Sequence, residues 1–499
     1  MDKRPSALLW CSFLAIAIVV FRSFPFLAYE HLDFDSDQAI VGLMAKHLSE
    51  LRTFPLFFYG QHYMLGVQSW IAAPFIWIGG PTVAMLRLPL VIVNGVVAVW
   101  LLRSFTRSIG SPWLALAAVL PLAASAPVLS ANLLETLGAS VEPFLYVLAL
   151  WALRDRPIAF GAVLAVGFLH REFTIFAVGG VAAASYYEYR KTMIGDGRWL
   201  TRSALAFGAV WLAVDQLKRR INTLGPSGAA RETASLTLQF ESLMARASLA
   251  PSLVVPRLKQ LAAEGVPDLL GMRTIQPLRY NINATVAVGS YVVAGLLIAA
   301  ALICLVRIAV HIRRSRARGA PLSLSPFCVF LAVVGVQALI AYSLSDAVDT
   351  RFPPILRYAL LGLLLPIALA GAFFETERRR LLRSAVACLL VAAAVLNLRD
   401  TWRIVGEYRA TPPPNEHRAL ADDLTARGIQ YGSALYEDAY ITDFFAGERV
   451  MLTSTGKVRI AAYDEAATRN PGSAVRAIRQ PCAQGRRVAS WCIVDPLNR

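Results

Sequence analysis

The sequence predicts an all-α polytopic membrane protein with outer-leaflet interfacial helices and a small C-terminal α/β soluble domain. Hydrophobic residues make up 56% of the 499 residues and charged residues only 16%, which is too apolar for a soluble chain of this length. The apolar residues form runs of roughly 15 to 22, the length that crosses a hydrocarbon core of about 30 Å. These runs end near Arg399, where the composition becomes polar.

About eleven transmembrane helices are expected. The first run is too long for the apolar part of a signal peptide and lacks a small-residue cleavage site, so we interpret it as a retained helix. An odd number of spans places the two ends of the chain on opposite sides of the membrane. The expected spans are 7–28, 83–102, 112–129, a re-entering segment that ends at Arg154, 157–169, 173–186, 200–214, 286–306, 322–343, 355–374 and 381–396.

The net charge of +16 comes mainly from Lys and Arg in short segments between the apolar runs. Cytoplasmic loops are enriched in these residues, so the pattern indicates membrane orientation and no nucleic-acid partner is expected. The N-terminus is therefore predicted to be cytoplasmic and the C-terminal region to be outside. The densest basic cluster, which anchors this orientation, contains Arg307, Arg313, Arg314, Arg316 and Arg318.

Two short segments that follow the first span are too short to cross the membrane. Residues 37–51 have apolar side chains at a helical period, and residues 67–78 form a second apolar segment. We interpret both as interfacial helices on the outer leaflet. The long polar segment 215–285 is also placed outside, because long loops follow the charge rule poorly.

The predicted domains are a transmembrane domain over 1–398 and an extracytoplasmic domain over 399–499. A TPPPNE linker precedes the soluble part. A helix is expected at 416–426, and two strands, 432–436 and 449–453, are expected around a helix at 438–446.

Three groups of polar residues fall on the outer side of this topology. Carboxylates near the membrane surface can act as general bases on a hydroxyl group, and arginines bind phosphate, so the pattern suggests group transfer from a lipid phosphate. The groups are Asp33, Asp35 and Asp37 with Gln61 and His62; Glu135 and Glu142 with His170, Arg171 and Glu172; and Asp346, Asp349, Arg351, Arg357 and Tyr358.

Simpler interpretations of these residues stay open. The two carboxylates of the Asp35–Asp37 pair could bind a divalent cation, or Asp35 or Ser36 could simply cap the helix that follows. Arg357 could be an interfacial anchor whose charge reaches the lipid headgroups. His170, Arg171 and Glu172 could form an ion pair among themselves at a helix end.

Three stretches, DFDSDQAIVGLMAKHL, FPLFFYGQHYMLG and AAPFIWIGGPTVAMLRLPL, resemble the N-terminal signature of bacterial GT-C glycosyltransferases. This family includes protein O-mannosyltransferase-like enzymes and the aminoarabinose transferases of lipid A. The resemblance implies an acidic residue in the first outer loop and a polyprenyl-phosphate sugar donor. By spacing, Asp37 resembles the family's catalytic aspartate, and Asp35 is the second candidate. Gln38 stands where the family commonly has a glutamate.

The late segment ILRYALLGLLLP is similar to an Arg-Tyr element of the same family, which implies a phosphate role for Arg357. Tyr358 and Arg351 are expected to bind the donor phosphate with it. The stretch YGSALYEDAYITDFFAGERVMLTS resembles the soluble tail of some bacterial members. The remaining polar residues of the outer groups are expected to bind substrate: Gln61, His62, Tyr63, Glu142, His170 and Arg171.

Together these features predict an inverting glycosyltransferase in the bacterial inner (plasma) membrane. Its partners would be a polyprenyl-phosphate-linked sugar, the lipid bilayer and an unknown envelope acceptor: a lipid, a polysaccharide or a protein hydroxyl. No cofactor is expected, although the oligosaccharyltransferase branch of the fold uses a metal, so a divalent cation stays open. The alternative function is a transporter or flippase of a lipid-linked or small polar substrate, which would require charges in mid-membrane.

Cys482 and Cys492 lie in the region placed outside the cytoplasm. An oxidising compartment favours a disulfide between them, which would stabilise a small domain by roughly 2 to 3 kcal/mol. The other four cysteines lie in or beside apolar runs, where cysteine behaves as a small apolar residue.

Overall fold

The structure, a computed structural model, describes residues 4–61, 64–188, 197–221, 250–275, 286–288, 291–318, 324–345, 348–351, 354–479, 482 and 485–494. Most of the chain up to Ala410 is helical. The helices of this part are α1 (Arg4–Ala28), α2 (Ser36–Ser49), α3 (Val67–Gly79), α4 (Val83–Ile109), α5 (Pro112–Ala123), α6 (Pro127–Asn132), α7 (Glu142–Ala152), α8 (Pro157–His170), α9 (Phe176–Tyr187), α10 (Gly197–Ile221), α11 (Pro251–Gln260), α12 (Val266–Leu269), α13 (Tyr291–Ala317), α14 (Pro326–Leu344), α15 (Leu364–Thr376) and α16 (Arg380–Ala410).

Each of the eleven predicted spans corresponds to one of these helices: α1, α4, α5, α7 to α10, and α13 to α16. Within the described residues, five helices are long and apolar enough to cross a membrane. The fold is therefore that of a multi-pass α-helical membrane protein, as the sequence predicts. The five are Ser6–Ala28, Val83–Ile109, Val292–Ser315, Pro326–Leu344 and Arg380–Ala410.

The first helices are joined by a buried arginine. Arg22 of α1 is fully buried and donates to the side-chain oxygen of Asn94 in α4 (2.7 Å) and to the backbone oxygen of Ala123 in α5 (3.1 Å). A charged group inside a helical bundle requires such partners, because the surrounding side chains and lipid offer none. These contacts fix the relative positions of α1, α4 and α5, and α1 leads into the loop that carries the acids.

The structure corrects three of the predicted spans. The expected span 112–129 is divided, because α5 ends at Ala123 and α6 begins at Pro127. Residues 286–288, expected at the start of a helix, form strand β2 (Val286–Val288), which pairs antiparallel with β1 (Arg273–Ile275). The helix begins only at Tyr291 and continues to Ala317, through most of the basic cluster. The expected span 355–374 starts with 3₁₀ turns at Leu356–Tyr358 and Leu360–Leu363 before α15.

Helix α2 is covered on both sides. Ten of its residues are buried, because α3 packs against it and the C-terminal domain lies on its other face. Gly42 faces the ring of Phe444, and a Cβ atom at Gly42 would lie 2.4 Å from that ring. The polar face expected at an interface is therefore buried against the C-terminal domain.

Helix α16 continues without a break to Ala410, so the boundary expected between 398 and 399 lies inside this helix. The compact C-terminal part begins at α17 (Glu416–Ala426), which has the predicted bounds. It adds α18 (Tyr436–Phe445), α19 (Ala461–Arg469) and five strands: β3 (Tyr431–Ala434), β4 (Met451–Ser454), β5 (Val475–Ile478), β6 (Arg486–Val488) and β7 (Trp491–Val494).

These five strands form one sheet in the order β4-β3-β5-β7-β6. Strand β3 is parallel to β4 and β5, and β7 is antiparallel to β5 and β6. The sulfur atoms of Cys482 and Cys492 are bonded, with their Cα atoms 5.1 Å apart. This bond ties the segment before β6 to β7.

Candidate active site

The loop between α1 and α2 turns sharply into α2. Asp33 has a φ of 53°, a left-handed conformation that aspartate tolerates better than most residues. Asp35 is the N-cap of α2, and its side chain accepts a hydrogen bond from the backbone N–H of Gln38 (2.9 Å). This cap orients the Asp35 carboxylate, which is accessible to solvent, at the positive end of the helix dipole.

The side chains of Arg87 and Gln38 hold the loop in place through hydrogen bonds to its backbone oxygens. Arg87, at the start of α4, is 1% exposed and donates to the backbone oxygens of Phe26 (2.9 Å), Leu32 (2.8 Å) and Asp33. The side chain of Gln38 donates to the Asp33 backbone oxygen (2.8 Å) and accepts from Arg87 (3.2 Å). Gln38, which stands where the resemblance predicts a glutamate, therefore organises the loop.

The segment between α6 and α7 connects this loop to the other polar residues. The side-chain oxygen of Gln38 accepts from the backbone N–H of Thr136 (3.2 Å), and the Leu137 backbone oxygen accepts from Arg171 (2.6 Å). The N–H of Gly138 donates to the side chain of Gln68. Residues 135–141 therefore bridge α2, α3 and the end of α8.

Glu135, in the same segment, pairs with Arg357. An Arg357 guanidinium nitrogen lies 3.1 Å from a Glu135 carboxylate oxygen, and the two side chains are 25% and 12% exposed. The guanidinium also lies 5.5 Å from the centre of the Tyr358 ring. Arg357 uses one of its nitrogens for this ion pair, which leaves further donors for an anion.

Asp37 contacts the C-terminal domain. Its carboxylate accepts a hydrogen bond from the hydroxyl of Tyr436 and lies 3.9 Å from the guanidinium of Arg459. Arg459 is buried and also donates to the hydroxyl of Tyr436 (3.3 Å) and to the backbone oxygen of Gly60 (3.2 Å). The soluble domain therefore completes the surroundings of this aspartate.

The acids near Glu135 are harder to ionise than free carboxylates. Desolvation by the surrounding protein raises the pKa of Asp33 to about 7, against the opposing charge of Arg87. Desolvation and the negative charges of Glu135 and Asp37 also raise the pKa of Asp35. A carboxyl group that releases its proton near neutral pH is suited to general acid–base chemistry.

Glu142, His170 and Arg171 surround the 135–141 segment from its far side. Glu142 is buried and accepts hydrogen bonds from the N–H and the hydroxyl of Ser140 (3.2 and 2.8 Å). His170 is buried and lies 3.1 Å from the Tyr146 hydroxyl. The contacts of these three residues support the segment that carries Glu135.

The other predicted site residues have different positions. Arg351 is 83% exposed and pairs with Asp349 (2.7 Å), so it is not brought to the acids. Gln61 lies in the turn that Arg459 contacts through Gly60, and its N–H donates to Phe58 (2.9 Å). His62 and Tyr63 lie outside the described residues.

Four contributors were missed by sequence reasoning: Arg87, Thr136, Tyr436 and Arg459. Arg87 had a signal, because a lone arginine inside an apolar run demands partners. Tyr436 and Arg459 had none, since their contacts to Asp37 cross about 400 residues of sequence. Among the described residues, no group of three or more metal-binding side chains is placed to hold a metal ion.

The fold of this chain is similar to that of two solved structures over nearly its whole length. The crystal structure of ArnT from Cupriavidus metallidurans in the apo state matches with a TM-score of 0.61 and 10% identity, over 100% of this chain and 99% of that one. The same protein bound to undecaprenyl phosphate matches with a TM-score of 0.62 and 10% identity, over 99% and 98%. No protein-family model and no curated protein sequence matches the chain.

Proposed function

We propose that this chain is a membrane glycosyltransferase that moves a sugar from a polyprenyl-phosphate donor to an acceptor hydroxyl. The observation that carries the proposal is the juxtaposition of carboxylates of raised pKa with Arg357. The likeness in fold to a protein that has been solved with undecaprenyl phosphate supports the class of donor. The acceptor would be a lipid, polysaccharide or protein hydroxyl of the cell envelope.

Asp35 is the better candidate for the general base. Its carboxylate is accessible to solvent and oriented by a single backbone hydrogen bond. Its raised pKa makes it a stronger base than an ordinary aspartate. The carboxylate of Asp37 is already engaged by Tyr436 and lies beside Arg459, which suits a positioning role.

Arg357 is the candidate for binding the donor phosphate. Its guanidinium is fixed by Glu135 and stacked near Tyr358, so little side-chain entropy is lost when an anion binds. The charge of Asp35 acts on this guanidinium, so the base and the phosphate-binding group share one site. Glu135 would position Arg357 and keep the two roles separate.

In the proposed step the acceptor oxygen attacks the anomeric carbon of the sugar as the bond from that carbon to the phosphate oxygen breaks. The hydroxyl proton passes to Asp35, and the electron pair of the broken bond stays on the polyprenyl phosphate. Arg357 stabilises the added negative charge on that phosphate. A single displacement of this kind inverts the configuration and requires no covalent intermediate.

The basic residues at the far end of the bundle support an orientation in the bacterial inner membrane with the N-terminus in the cytoplasm. The acidic loop and the C-terminal domain would then lie on the extracytoplasmic side. In this orientation the polyprenyl tail of the donor stays in the outer leaflet while its phosphate reaches Arg357.

The test is transfer from a panel of radiolabelled polyprenyl-phosphate sugars to envelope acceptors in membranes that contain the full chain. Asp35→Asn should lower the rate at least about 100-fold, because general bases contribute roughly 10² to 10⁴ in rate. Asp37→Asn should lower the rate less, and it should also weaken the docking of the C-terminal domain, because Asp37 contacts Tyr436 and Arg459. Protein amount and thermal transition are measured for both variants.

Full loss in Asp37→Asn with little loss in Asp35→Asn would move the base to Asp37. Equal activity of the wild type and both variants would contradict a catalytic role for this loop. Transfer by no donor in the panel, with a folded wild-type chain that fails to bind undecaprenyl phosphate, would contradict the proposed function.

A further inference from the structure

A groove on the outside of the helical bundle runs between α1 and α4. It has a volume of about 670 Å³, within the range of small-molecule sites. Gly95 keeps the groove open, because a Cβ atom at that position would meet only Ile16 of α1 within 4 Å, at 3.8 Å. The exposed side chains of Ile16, Val20, Ile92 and Val96 line the groove, so it opens to the surface that a bilayer covers.

One face of α4 supplies both the apolar wall and the charged end of the groove. The residues of this face that line the groove are Leu88, Ile92, Val96, Val99, Arg103 and Arg107. These positions recur every three or four residues, so they lie on the same side of the helix. The two arginines therefore continue the surface that the apolar side chains begin.

The charge of the two arginines is not balanced by the protein. Within the described residues, no acid lines the groove, and neither Arg103 nor Arg107 makes an ion pair. Both side chains are exposed, and the groove between them is also lined by Ser104. One end of the groove therefore carries a net charge of +2, which an anionic group of the surroundings complements.

The dimensions of the groove fit an acyl chain. Leu88 and Arg103 are separated by about 22 Å along the axis of α4. One leaflet occupies about half of a hydrocarbon core of roughly 30 Å, so a chain whose headgroup lies at Arg103 can follow the groove through the whole of its leaflet. Arg87, which holds the acidic loop, lies about 30 Å along α4 from Arg107. The charged end of the groove is therefore at the end of the bundle away from that loop.

We propose that this groove binds an anionic phospholipid, with the phosphate at Arg103 and Arg107 and one acyl chain between α1 and α4. An apolar groove alone selects no ligand in a bilayer, because lipid tails are as apolar as its side chains. The two arginines supply the selection, since basic side chains near the membrane surface attract anionic headgroups. The site is separate from the acidic loop, so this inference does not depend on the proposed function.

The test uses the purified full-length chain in detergent, titrated with phosphatidylglycerol or phosphatidylcholine and followed by native mass spectrometry. The wild type should bind phosphatidylglycerol about 10- to 30-fold more tightly, on the usual contribution of two basic residues. Arg103→Gln/Arg107→Gln should abolish this preference, whereas Arg103→Lys/Arg107→Lys should retain most of it. The matched control, Arg156→Gln/Arg202→Gln, removes two exposed arginines near the starts of α8 and α10. It should change binding less than about threefold, because exposed charges away from the groove are screened.

The position of the acyl chain is tested by filling the groove. Val96→Trp places a large ring there from a position that is 46% exposed, so the fold should tolerate the change. Binding of both phospholipids should fall at least about threefold, because van der Waals contacts between the chain and the groove are lost. The control is Val336→Trp, since Val336 is 41% exposed on α14 and does not line the groove. It should leave binding unchanged.

Loss of selectivity in Arg103→Gln/Arg107→Gln, together with loss of binding in Val96→Trp, supports the proposal. Equal binding of the two phospholipids by the wild type would overturn the anionic headgroup. Equal losses in the two Arg→Gln double variants would show general charge attraction and overturn the site. Unchanged binding in Val96→Trp, or complete competition by inorganic phosphate, would overturn the acyl chain in the groove. Circular dichroism on each variant distinguishes loss of the site from loss of the fold.

Discussion

Two groups of acids in this protein have opposite pKa shifts. In the loop between α1 and α2, the pKa of Asp33 is raised to about 7 and that of Asp35 is also raised. Glu448 lies in the seam between α2 and the C-terminal domain, and Asp438 pairs with residues inside that domain; their side chains are only 7% and 3% exposed, yet their pKa values are lowered to about 2. Burial alone therefore does not decide how these acids behave.

The number of hydrogen-bond donors explains the difference. Burial opposes ionisation of Glu448, but it accepts from Lys46 (2.6 Å), His47 (2.7 Å), Arg52 and Tyr463 (2.6 Å), which outweigh that cost. Asp438 is held in the same way by Arg479 (2.7 Å) and His417 (3.0 Å). By contrast, Asp35 accepts one backbone hydrogen bond. Carboxylates that accept several hydrogen bonds hold the C-terminal domain in place, whereas carboxylates with few donors are available for chemistry.

The largest expected effect concerns Arg357, the cation that pairs with Glu135 beside the acidic loop. Arg357→Gln should lower transfer by about 100-fold or more, because removing one donor that stabilises developing charge commonly costs 10² to 10³ in rate. The thermal transition should also fall, because the change leaves the recessed carboxylate of Glu135 without its ion-pair partner, so both assays are run well below the transition of the variant. Steady-state transfer and binding of undecaprenyl phosphate are both measured.

Arg351→Gln is the comparison for that variant, because Arg351 is exposed and pairs only with Asp349 among the described residues. It should change transfer less than about threefold, as expected for an exposed ion pair. Equal losses in the two variants would mean that surface charge, and not the position of Arg357, governs donor binding.

The second-largest expected effect concerns the stability of the contact between α2 and the C-terminal domain. Glu448→Gln keeps the shape of the side chain but leaves Lys46, His47 and Arg52 beside a neutral amide. Breaking a buried pair from one side costs about 3 kcal/mol, so the free energy of unfolding in detergent should fall by roughly that amount. Protease cleavage in the linker at 411–415 should increase, because the C-terminal domain is held less tightly.

Glu465→Gln is the matched control in the same domain. Glu465 is 61% exposed and pairs with Arg469 at the next helical turn (2.9 Å), a contact worth at most about 0.5 kcal/mol. A seam variant as stable as this control would contradict the assignment of Glu448 as a fastening residue.

Much of the fold follows from local sequence. Each apolar run has one physical outcome in a membrane, so the eleven spans correspond to helices. Asp35 caps α2 as the sequence allowed, and Asn415 caps α17, whose bounds match the prediction. The break before α13 was missed, because the short apolar run Val-Ala-Val at 286–288 fits a strand as well as a helix.

The site was less predictable, because its contacts join distant parts of the chain. Asp37 and Arg357 were named from motifs, but their neighbours Tyr436 and Glu135 depend on how the domain docks and where α7 begins. Gln38 illustrates the limit of motif reasoning. It differs from the family's acid, yet its amide forms the hydrogen bonds that hold Asp33, Arg87 and Thr136 together.

The smallest expected effect is the pH dependence of stability. The pKa of Asp33 is about 7 in the folded chain and about 3.9 in an unfolded one, so between these values the folded state binds more protons. Its contribution to the free energy of unfolding therefore falls as pH rises from about 4 to about 7. Glu448 and Asp438, with folded pKa values of about 2, contribute fully above about pH 5 and lose their contribution only in acid.

Asp33→Asn isolates this effect, because asparagine also tolerates the left-handed backbone. The two charged groups that act on Asp33, namely Arg87 and Glu135, are unchanged in this variant. The wild type should lose up to about 2 kcal/mol more stability than Asp33→Asn between about pH 5 and pH 7. Histidines titrate there too, but they contribute equally to the wild type and Asp33→Asn. Identical slopes in the wild type and Asp33→Asn would mean that the acidic loop is ionised at neutral pH, and the contrast between loop and seam would then rest on contacts alone.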